Sequence, residues 1–294
     1  MERARFAIKP MTQTIATAIL EGSMTLWNAE ITEPQREARS LLSHAIGRDH
    51  SYLITHGDVQ LTQEQAQLFQ TFIERRSARE PVQYITGRQE FYKLDFEVSP
   101  AVLIPRPETE LIVETAMELL KDVPAPFIAD IGTGSGCIVI SLLHVMAGAR
   151  GIATDISPAA LQTARRNAQR HCVSDRLKLV ESDCFSGIDV TEQFSLIVSN
   201  PPYVAEIDLG TLQPEVRDFE PRAALVCGPD GLGIIRRLLL EAPGFLRARG
   251  HMLIEIGFGQ SEMVRQLIDP QTWRLLEIRH DLQGIPRTVV LRRK

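Results

Sequence analysis

Residues 127–136, Phe-Ile-Ala-Asp-Ile-Gly-Thr-Gly-Ser-Gly, decide the fold of this chain. The stretch begins as a mostly apolar strand, passes through three alternating glycines and continues into a helical pattern. Glycines at such a turn let the backbone bend sharply and let its N–H groups approach a ligand. The G-x-G-x-G spacing differs from the G-x-G-x-x-G of dinucleotide-binding domains. Taken alone, the stretch fits a ligand-binding loop, and it also fits a glycine turn that holds no ligand.

Strand-like and helix-like segments alternate from this stretch onward. Because helices that connect parallel strands cover both faces of their sheet, the alternation predicts a doubly wound α/β domain. The last two predicted strands have no helix between them, so we expect them to pair antiparallel at a sheet edge. The predicted strands are residues 127–131, 151–155, 177–181, 194–199, 251–256, 273–279 and 288–292. The predicted helices lie near residues 137–146, 158–171, 232–240 and 260–268.

The segment before this α/β region reads as helices followed by a linker. Thr32 with Gln35 and Thr62 with Gln65 match the T-x-x-Q capping box, and apolar residues then recur at helical spacing. Gly47 ends the first of these runs. Short amphipathic helices bury their apolar faces on one another, which predicts a small bundle. From Val82 onward an extended pattern predicts a β-hairpin, and a helix then begins at Glu108 or Thr109. The predicted organisation is a helical domain, a hairpin linker and an α/β domain at residues 1–80, 81–105 and 106–294. The mixed, charged residues 1–10 fit a disordered extension.

The composition excludes several classes of protein. Hydrophobic residues make up 44% of the 294 positions and charged residues 23%, which is typical of globular rather than disordered or fibrous chains. The net charge of -5 argues against a protein that holds duplex DNA by its own charge. The four cysteines lie at no metal-ligand spacing, which predicts reduced thiols in a cytoplasmic protein and no metal site. No apolar run approaches the roughly 18 residues of a membrane span, so we expect no membrane association.

Polar residues follow three predicted strands at their carboxyl ends, where open α/β sheets bind ligands. Asp155 ends the second strand, where a carboxylate can accept both hydroxyls of a ribose. Asp183 follows the third strand, and an acid there can accept the exocyclic amine of an adenine. Cys184 comes next, at a position where a side chain packs on the adenine face. The most specific motif, Asn200-Pro-Pro-Tyr203, follows the fourth strand.

The Asn200-Pro-Pro-Tyr203 motif suits recognition of a planar –NH2 group. The Asn200 amide oxygen and the Pro201 carbonyl can accept its two hydrogens, and Tyr203 can stack on its face. Such acceptors raise the electron density of a poorly nucleophilic nitrogen and orient it, so no strong general base is required. Together with the glycine loop and Asp155, the motif predicts methyl transfer from S-adenosylmethionine to an amide or amidine nitrogen, with S-adenosylhomocysteine as the product.

Several motifs of the sequence resemble those of the bacterial protein-glutamine N5-methyltransferases of the PrmC (HemK) type, over roughly residues 30–290. They are Gly-Arg-Gln-Glu-Phe-Tyr-Lys at 87–93, Ile-Pro-Arg-Pro-Glu-Thr-Glu at 104–110, the loop at 130–136, the tetrapeptide at 200–203, Leu-Gln-Pro-Glu-Val-Arg-Asp-Phe-Glu-Pro-Arg-Ala-Ala-Leu at 212–225 and Asp-Gly-Leu at 230–232. The resemblance implies a helical N-terminal domain, a hairpin and a seven-stranded, Rossmann-like class I methyltransferase domain. It also implies methylation of the glutamine in the Gly-Gly-Gln motif of class I peptide chain release factors, in translation termination.

The resemblance also assigns site residues. It implies that the loop holds the cofactor, that Asp155 binds the ribose and that Arg106 lies near the cofactor. The implied cofactor site consists of Gly132, Thr133, Gly134, Ser135, Gly136, Asp155, Asp183, Cys184 and Asn200. The implied glutamine site consists of Asn200, Pro201, Pro202 and Tyr203, with Asn200, Pro201 and Tyr203 as the catalytic residues. Lys93 stands where the family often has glycine, and Cys184 where some members have a bulky aromatic residue.

Three alternatives stay open at this point. A DNA adenine-N6 or cytosine-N4 methyltransferase also uses Asn-Pro-Pro-Tyr, but it usually carries a basic target-recognition region. Residues 81–294 contain no such insert and carry 23 Lys and Arg against 27 Asp and Glu. A ribosomal-protein glutamine methyltransferase shares the chemistry, although residues 104–110 and 212–225 favour the release-factor branch. A catalytically inactive binding module is the third alternative, and the intact motifs argue against it.

Overall fold

The computed structural model describes residues 13–294, so the predicted extension at residues 1–10 lies outside the described residues. The chain divides into two compact units between Thr86 and Gly87. The predicted domain limits at residues 80 and 105 stay predictions. None of the helices in the described part of the chain is both long and apolar enough to cross a membrane.

The first unit is a bundle of helices around its own apolar core. The helices are α1 Ile15–Asn28, α2 Pro34–Ile46, α3 His50–Thr55, α4 Gln63–Ser77 and α5 Val82–Thr86. Side chains that are almost fully buried fill the space between them, including Ile15, Leu26, Leu41, Leu42, Phe69 and Ile73. The apolar spacing that predicted a bundle therefore identifies the faces that the helices bury.

One of the two predicted capping boxes forms. At α4, Gln65 N donates to Thr62 Oγ1 at 3.2 Å, and Thr62 N donates to Gln65 Oε1 at 3.0 Å. At α2, the predicted box at Thr32 is wrong. Pro34 occupies the first helical position, so the N-cap is Glu33 and Thr32 lies one residue too early to reach the first turn. Gly47 ends α2 in the left-handed conformation, as predicted.

The extended pattern predicted from Val82 is also wrong for its first five residues. The Pro81 carbonyl accepts from Tyr84 N at 3.0 Å and from Ile85 N at 3.1 Å, which starts the short helix α5. Proline suits this position because its missing N–H would have no partner in a first helical turn. Tyr84 and Ile85 are both buried, and burial of two consecutive residues fits a helix better than an alternating strand.

The second unit contains the predicted hairpin, formed by β1 Arg88–Phe91 and β2 Leu94–Glu97. Its two turn residues, Tyr92 and Lys93, have φ of +50° and +61°. Such a two-residue turn requires positive φ at both positions, which glycine adopts most readily. A glycine, which the resemblance implies at this position, would adopt this geometry more readily than Lys93.

A seven-stranded sheet forms the body of the second unit. Its strands are β3 Phe127–Ile131, β4 Arg150–Asp155, β5 Leu177–Glu181, β6 Phe194–Ser199, β7 Leu246–Glu255, β8 Trp273–His280 and β9 Pro286–Arg293. The order is β5-β4-β3-β6-β7-β9-β8, in which β3 to β7 run parallel and β9 and β8 pair antiparallel. The predicted seven-stranded Rossmann-like sheet, with its antiparallel pair at one edge, is confirmed.

Helices cover both faces of this sheet. They are α6 Glu110–Leu120, α7 Cys137–Val145, α8 Pro158–Arg170, α9 Pro214–Phe219, α10 Arg222–Leu225, α11 Gly233–Glu241 and α12 Ser261–Leu267. Ile128 and Leu196 belong to one buried apolar cluster, whereas Ala129 and Ile197 belong to another. Neighbouring strand residues point to opposite faces, so the sheet has a packed layer on each side. The carboxyl ends of its central strands stay free for a site.

The hairpin is fixed to α8 by a fully buried amide. Asn167 Oδ1 accepts from Glu97 N at 2.7 Å, and Asn167 Nδ2 donates to the Glu97 carbonyl at 3.0 Å and to the Ser135 carbonyl at 2.9 Å. Arg166 adds an ion pair with the Glu97 carboxylate at 2.7 Å. Because Ser135 belongs to the glycine loop, Asn167 joins the hairpin, α8 and that loop.

Candidate active site

A cavity of about 430 Å³ opens at the carboxyl ends of β3, β4 and β6. It brings together most of the residues that the sequence singled out. Those in its wall are Gly132, Thr133, Gly134, Ser135, Asp155, Asp183, Cys184, Asn200, Pro201 and Pro202. Of the predicted site residues, Gly136 and Tyr203 stand outside this lining set. Within residues 13–294, no group of three or more His, Cys, Asp or Glu side chains could hold a metal ion.

The glycine loop turns sharply between β3 and α7. Gly132 and Gly134 have φ of +75° and +56°, a conformation that side chains other than glycine rarely adopt. Gly136, at φ +82°, is the N-cap of α7, and a β-carbon there would lie 2.6 Å from Ile140 Cδ1. Gly136 therefore lies at the start of α7, where the absence of a β-carbon leaves room for the Ile140 side chain.

Two carboxylates fix the loop. Asp130 is fully buried, and its Oδ2 accepts from Thr133 Oγ1 at 2.7 Å; burial raises its pKa to about 7. Asp155 Oδ2 accepts from Gly134 N at 2.8 Å, and its Oδ1 accepts from Ser157 N at 2.9 Å. A carboxylate has about four acceptor positions, so each Asp155 oxygen keeps one for a ligand.

Asp183 and Cys184 line a neighbouring part of the wall. Asp183 Oδ1 accepts from Arg237 Nη1 of α11 at 2.7 Å, so its carboxylate is held in place. Cys184 is buried, and burial raises the pKa of its thiol to about 11. The thiol is therefore protonated near neutral pH, and Cys184 presents a small apolar surface to the cavity.

Asn200 has an unsatisfied acceptor in the cavity wall. Its Nδ2 donates to Thr109 Oγ1 at 3.1 Å. Its Oδ1 is buried and has no hydrogen-bond partner in the described part of the chain. A buried acceptor without a partner costs about 1–3 kcal/mol, which a ligand N–H would recover.

Tyr203 is held by a segment after β7 that the sequence analysis missed. Gln260 Nε2 donates to the Tyr203 carbonyl at 2.9 Å, and Gln260 Oε1 accepts from Gly257 N at 2.8 Å. A β-carbon at Gly231 would overlap the Tyr203 carbonyl oxygen. Burial raises the pKa of the Tyr203 phenol. Tyr203 is thus fixed by close packing and keeps its proton.

Residues 104–110 and 212–225, two of the motifs on which the resemblance rests, meet at one ion pair. The buried Glu220 carboxylate accepts from Ile104 N at 3.1 Å and pairs with the Arg106 guanidinium. Their neighbours Pro105 and Pro221 line the cavity. Arg106 is thus paired with Glu220 beside the cavity wall, and its nearness to the cofactor stays a prediction.

Glu255 is the other site residue that the sequence analysis missed. It ends β7 and is almost fully buried, and burial raises its pKa to about 7. The side chains of Thr109 and Asn200 are polar neighbours that favour its ionised form. The sequence does contain a signal for this residue, a single acid in the apolar run Met-Leu-Ile-Glu-Ile at 252–256. Buried acids are rare unless they have partners, so an acid in a buried strand indicates a polar site.

Comparison with known proteins agrees with this architecture. The PrmC N-terminal domain family matches residues 17–87, and the methyltransferase small domain family matches residues 109–213. The catalytic domain of hMettl16, solved in complex with the MAT2A 3'UTR hairpin 6, aligns with a TM-score of 0.54 at 17% identity, covering 78% of this chain and 81% of that one. At this identity the likeness concerns the fold alone.

Closer relatives cover nearly the whole chain. The release factor glutamine methyltransferase of Nitratidesulfovibrio vulgaris is 40% identical over 267 residues, which are 90% of each chain. That of Koribacter versatilis is 41% identical over 265 residues, covering 90% of this chain and 93% of the relative. Identity at this level over this length, in both the helical unit and the sheet unit, shows common descent. The chain belongs to the PrmC (HemK) family of release factor glutamine methyltransferases, which are S-adenosylmethionine-dependent enzymes.

Proposed function

We propose that this chain transfers a methyl group from S-adenosylmethionine to the side-chain N5 of the glutamine in the Gly-Gly-Gln motif of class I peptide chain release factors. The observation that carries the proposal is the buried Asn200 Oδ1, an acceptor without a partner among residues 13–294, in the wall of the cavity. Family membership favours a release factor as the partner. We expect the chain to act in the cytoplasm, where translation takes place.

The cavity residues fit the cofactor. The positive φ angles of Gly132 and Gly134 open the loop to a close approach. The Asp155 carboxylate accepts from Gly134 N and Ser157 N, one at each oxygen, and a carboxylate has about four acceptor positions, which leaves capacity for ribose hydroxyls. Cys184 offers an apolar surface for the adenine, and Asp183 offers a carboxylate for its amine. When bound, S-adenosylmethionine supplies an electrophilic methyl group on a sulfonium sulfur.

The Asn200-Pro-Pro-Tyr203 motif would bind the glutamine side chain. Asn200 Oδ1 and the Pro201 carbonyl accept the two N5 hydrogens, which orients the nitrogen lone pair and raises its electron density. Tyr203 would pack on the amide face, and contacts of its carbonyl and ring with Gln260, Gly231 and Gly257 limit its movement. These acceptors also stabilise the positive charge that grows on nitrogen, and the surplus proton then leaves to water.

Mass spectrometry of a release factor incubated with the protein and labelled cofactor tests the proposal. We expect one added methyl group on the peptide that contains Gly-Gly-Gln. Asn200→Ala should abolish this gain and leave the dissociation constant of the cofactor nearly unchanged, because the lost acceptor faces the substrate nitrogen. A fully active Asn200→Ala variant, or methylation of DNA instead of the peptide, would refute the proposed function.

A further inference from the structure

The proposed chemistry requires Asn200 to present its side-chain oxygen, and not its NH2 group, to the substrate nitrogen. The side chain alone does not determine which of the two faces the substrate. A carboxamide can rotate by about 180° and exchange its oxygen for its NH2 group. Only the oxygen can accept a hydrogen from the substrate nitrogen, since the NH2 group is a donor. Some neighbouring group must therefore distinguish the two orientations.

Thr109 is the neighbour that contacts the amide. It is 1% exposed, and its hydroxyl accepts from Asn200 Nδ2 at 3.1 Å. A hydroxyl has one hydrogen and two acceptor positions, so alone it could equally donate to an amide oxygen. The direction of the bond depends on where the Thr109 hydrogen goes.

Glu255 provides a place for that hydrogen. Ser199 pairs with Ile254 across the parallel strands β6 and β7, so the next residues, Asn200 and Glu255, lie side by side at the strand ends. Glu255 is 1% exposed; burial raises its pKa, whereas the neighbouring Thr109 hydroxyl and Asn200 amide favour its ionised form. An ionised carboxylate can only accept hydrogen bonds. When Thr109 donates to Glu255, its oxygen can bond only to a donor, which selects Asn200 Nδ2. The rotated amide would instead turn its oxygen toward the carboxylate.

Another feature of Glu255 argues against a purely structural role. Its Oε2 atom is buried without a hydrogen-bond partner in the described part of the chain. An apolar residue of similar size would avoid this unfavourable burial, because removal of a buried polar group is often neutral or stabilising. The carboxyl of Glu255 is therefore buried at a desolvation cost beside Asn200.

We propose that Glu255, acting through the Thr109 hydroxyl, fixes the Asn200 amide in the orientation that presents Oδ1 to the substrate nitrogen. The inference rests on the proposed function and assigns Glu255 as a positioning residue of the same site. Thr109 enters from the turn before α6, Asn200 from the end of β6 and Glu255 from the end of β7. Three separate elements therefore meet at the acceptor.

The first test compares the methylation kinetics of four proteins: the wild type, Glu255→Gln, Thr109→Val and Thr109→Ser. We expect Glu255→Gln and Thr109→Val to lower kcat about tenfold or more, with little change in the dissociation constant of the cofactor. Thr109→Ser keeps the hydroxyl and should retain most of the activity. Glu277→Gln, on the exposed face of the edge strand β8, is the matched control and should behave as the wild type.

The double variant Thr109→Val/Glu255→Gln separates a shared role from two independent ones. Because both residues act on one amide, we expect the double variant to be about as slow as either single variant. Multiplied losses would overturn the proposal, as would a Glu255→Gln variant that turns over at the wild-type rate. Absence of methylation by the wild type would refute the proposed function as well, so the two failures are distinguishable.

The dependence of kcat on pH distinguishes the proposed role of Glu255 from simple packing, because packing alone would not make kcat follow the protonation of this carboxyl. Protonated Glu255 can itself donate, so the orientation is no longer selected, and kcat of the wild type should rise with pH through about 7. Glu255→Gln should lack this step. The other titratable or charged groups that interact with the carboxyl are Arg287, Glu108, Tyr203 and Cys137.

The Asn200 side-chain amide signal in ¹⁵N spectra of the free protein should shift over the same pH range in the wild type only. An identical pH profile and an identical shift in Glu255→Gln would overturn the proposal.

Discussion

Replacement of Asn167 should uncouple the hairpin from the glycine loop. The Asn167 amide makes three hydrogen bonds, one from Glu97 N and two to the carbonyls of Glu97 and Ser135, and it is fully buried. A net contribution of about 1 kcal/mol per bond, plus about 1–3 kcal/mol for leaving the buried Ser135 carbonyl without a partner, gives a loss of about 4–6 kcal/mol for Asn167→Ala. The second unit should unfold at correspondingly lower urea concentration.

Two further variants make this prediction specific. Asn167→Asp keeps the acceptor for Glu97 N but turns an oxygen toward two carbonyls, so it should lose at least as much stability as Asn167→Ala. Arg166→Ala removes the half-exposed ion pair with Glu97 and a hydrogen bond to Thr163 Oγ1 at 3.1 Å, leaves the Asn167 bonds in place, and should cost only about 1 kcal/mol. Urea unfolding and calorimetric titration with S-adenosylmethionine measure stability and cofactor affinity. If Asn167→Asp equals the wild type in both, the Nδ2 bonds have no coupling role.

Two predictions concern the cavity itself. Asp155→Ala should raise the dissociation constant of S-adenosylmethionine by about two orders of magnitude, because two hydrogen bonds to a charged group are worth about 3 kcal/mol or more. An unchanged dissociation constant in calorimetric titration would reject the ribose role. Gly231→Ala should displace the Tyr203 carbonyl and lower methylation more than cofactor affinity, with a stability loss of about 2 kcal/mol. Gly210→Ala, where no described atom lies within 4 Å of an added β-carbon, is its control, and equal kinetics in the two variants would contradict the packing argument.

The sheet could be predicted from the sequence because its signals are local. Strands β3 and β6 are buried, mostly apolar runs of 5 and 6 residues. At the edge strand β5, of 5 residues, apolar and charged residues mix and only Leu177 is buried. The predicted limits match at all three strands. Strand β7 begins earlier than predicted, at Leu246, because its first half is polar and joins the sheet through an irregular register with β6. The hydrophobic pattern of a sequence does not predict that a polar segment pairs with a neighbouring strand through an irregular register.

The parts of the site that could not be predicted depend on contacts between distant residues. Asp155 ends a strand and Asn200 follows one, so the rule for strand ends located them. Glu255 also ends a strand, but the role proposed for it depends on Thr109, which arrives from another part of the chain. The predicted box at Thr32 failed for a local reason, since the proline shifted the helix start by one residue.

The bond from Ile104 N to Glu220 joins positions 116 residues apart and has a consequence for synthesis of the protein. At roughly 5–20 residues per second, a ribosome needs on the order of 10 seconds to extend the chain from one to the other. During that interval Arg106 lacks its carboxylate partner, and the cavity lacks the wall that begins at Pro221. A nascent chain that stalls before Glu220 therefore carries the glycine loop without a complete pocket around it. We therefore expect cofactor capture only in the last quarter of translation, after the sheet has begun to form.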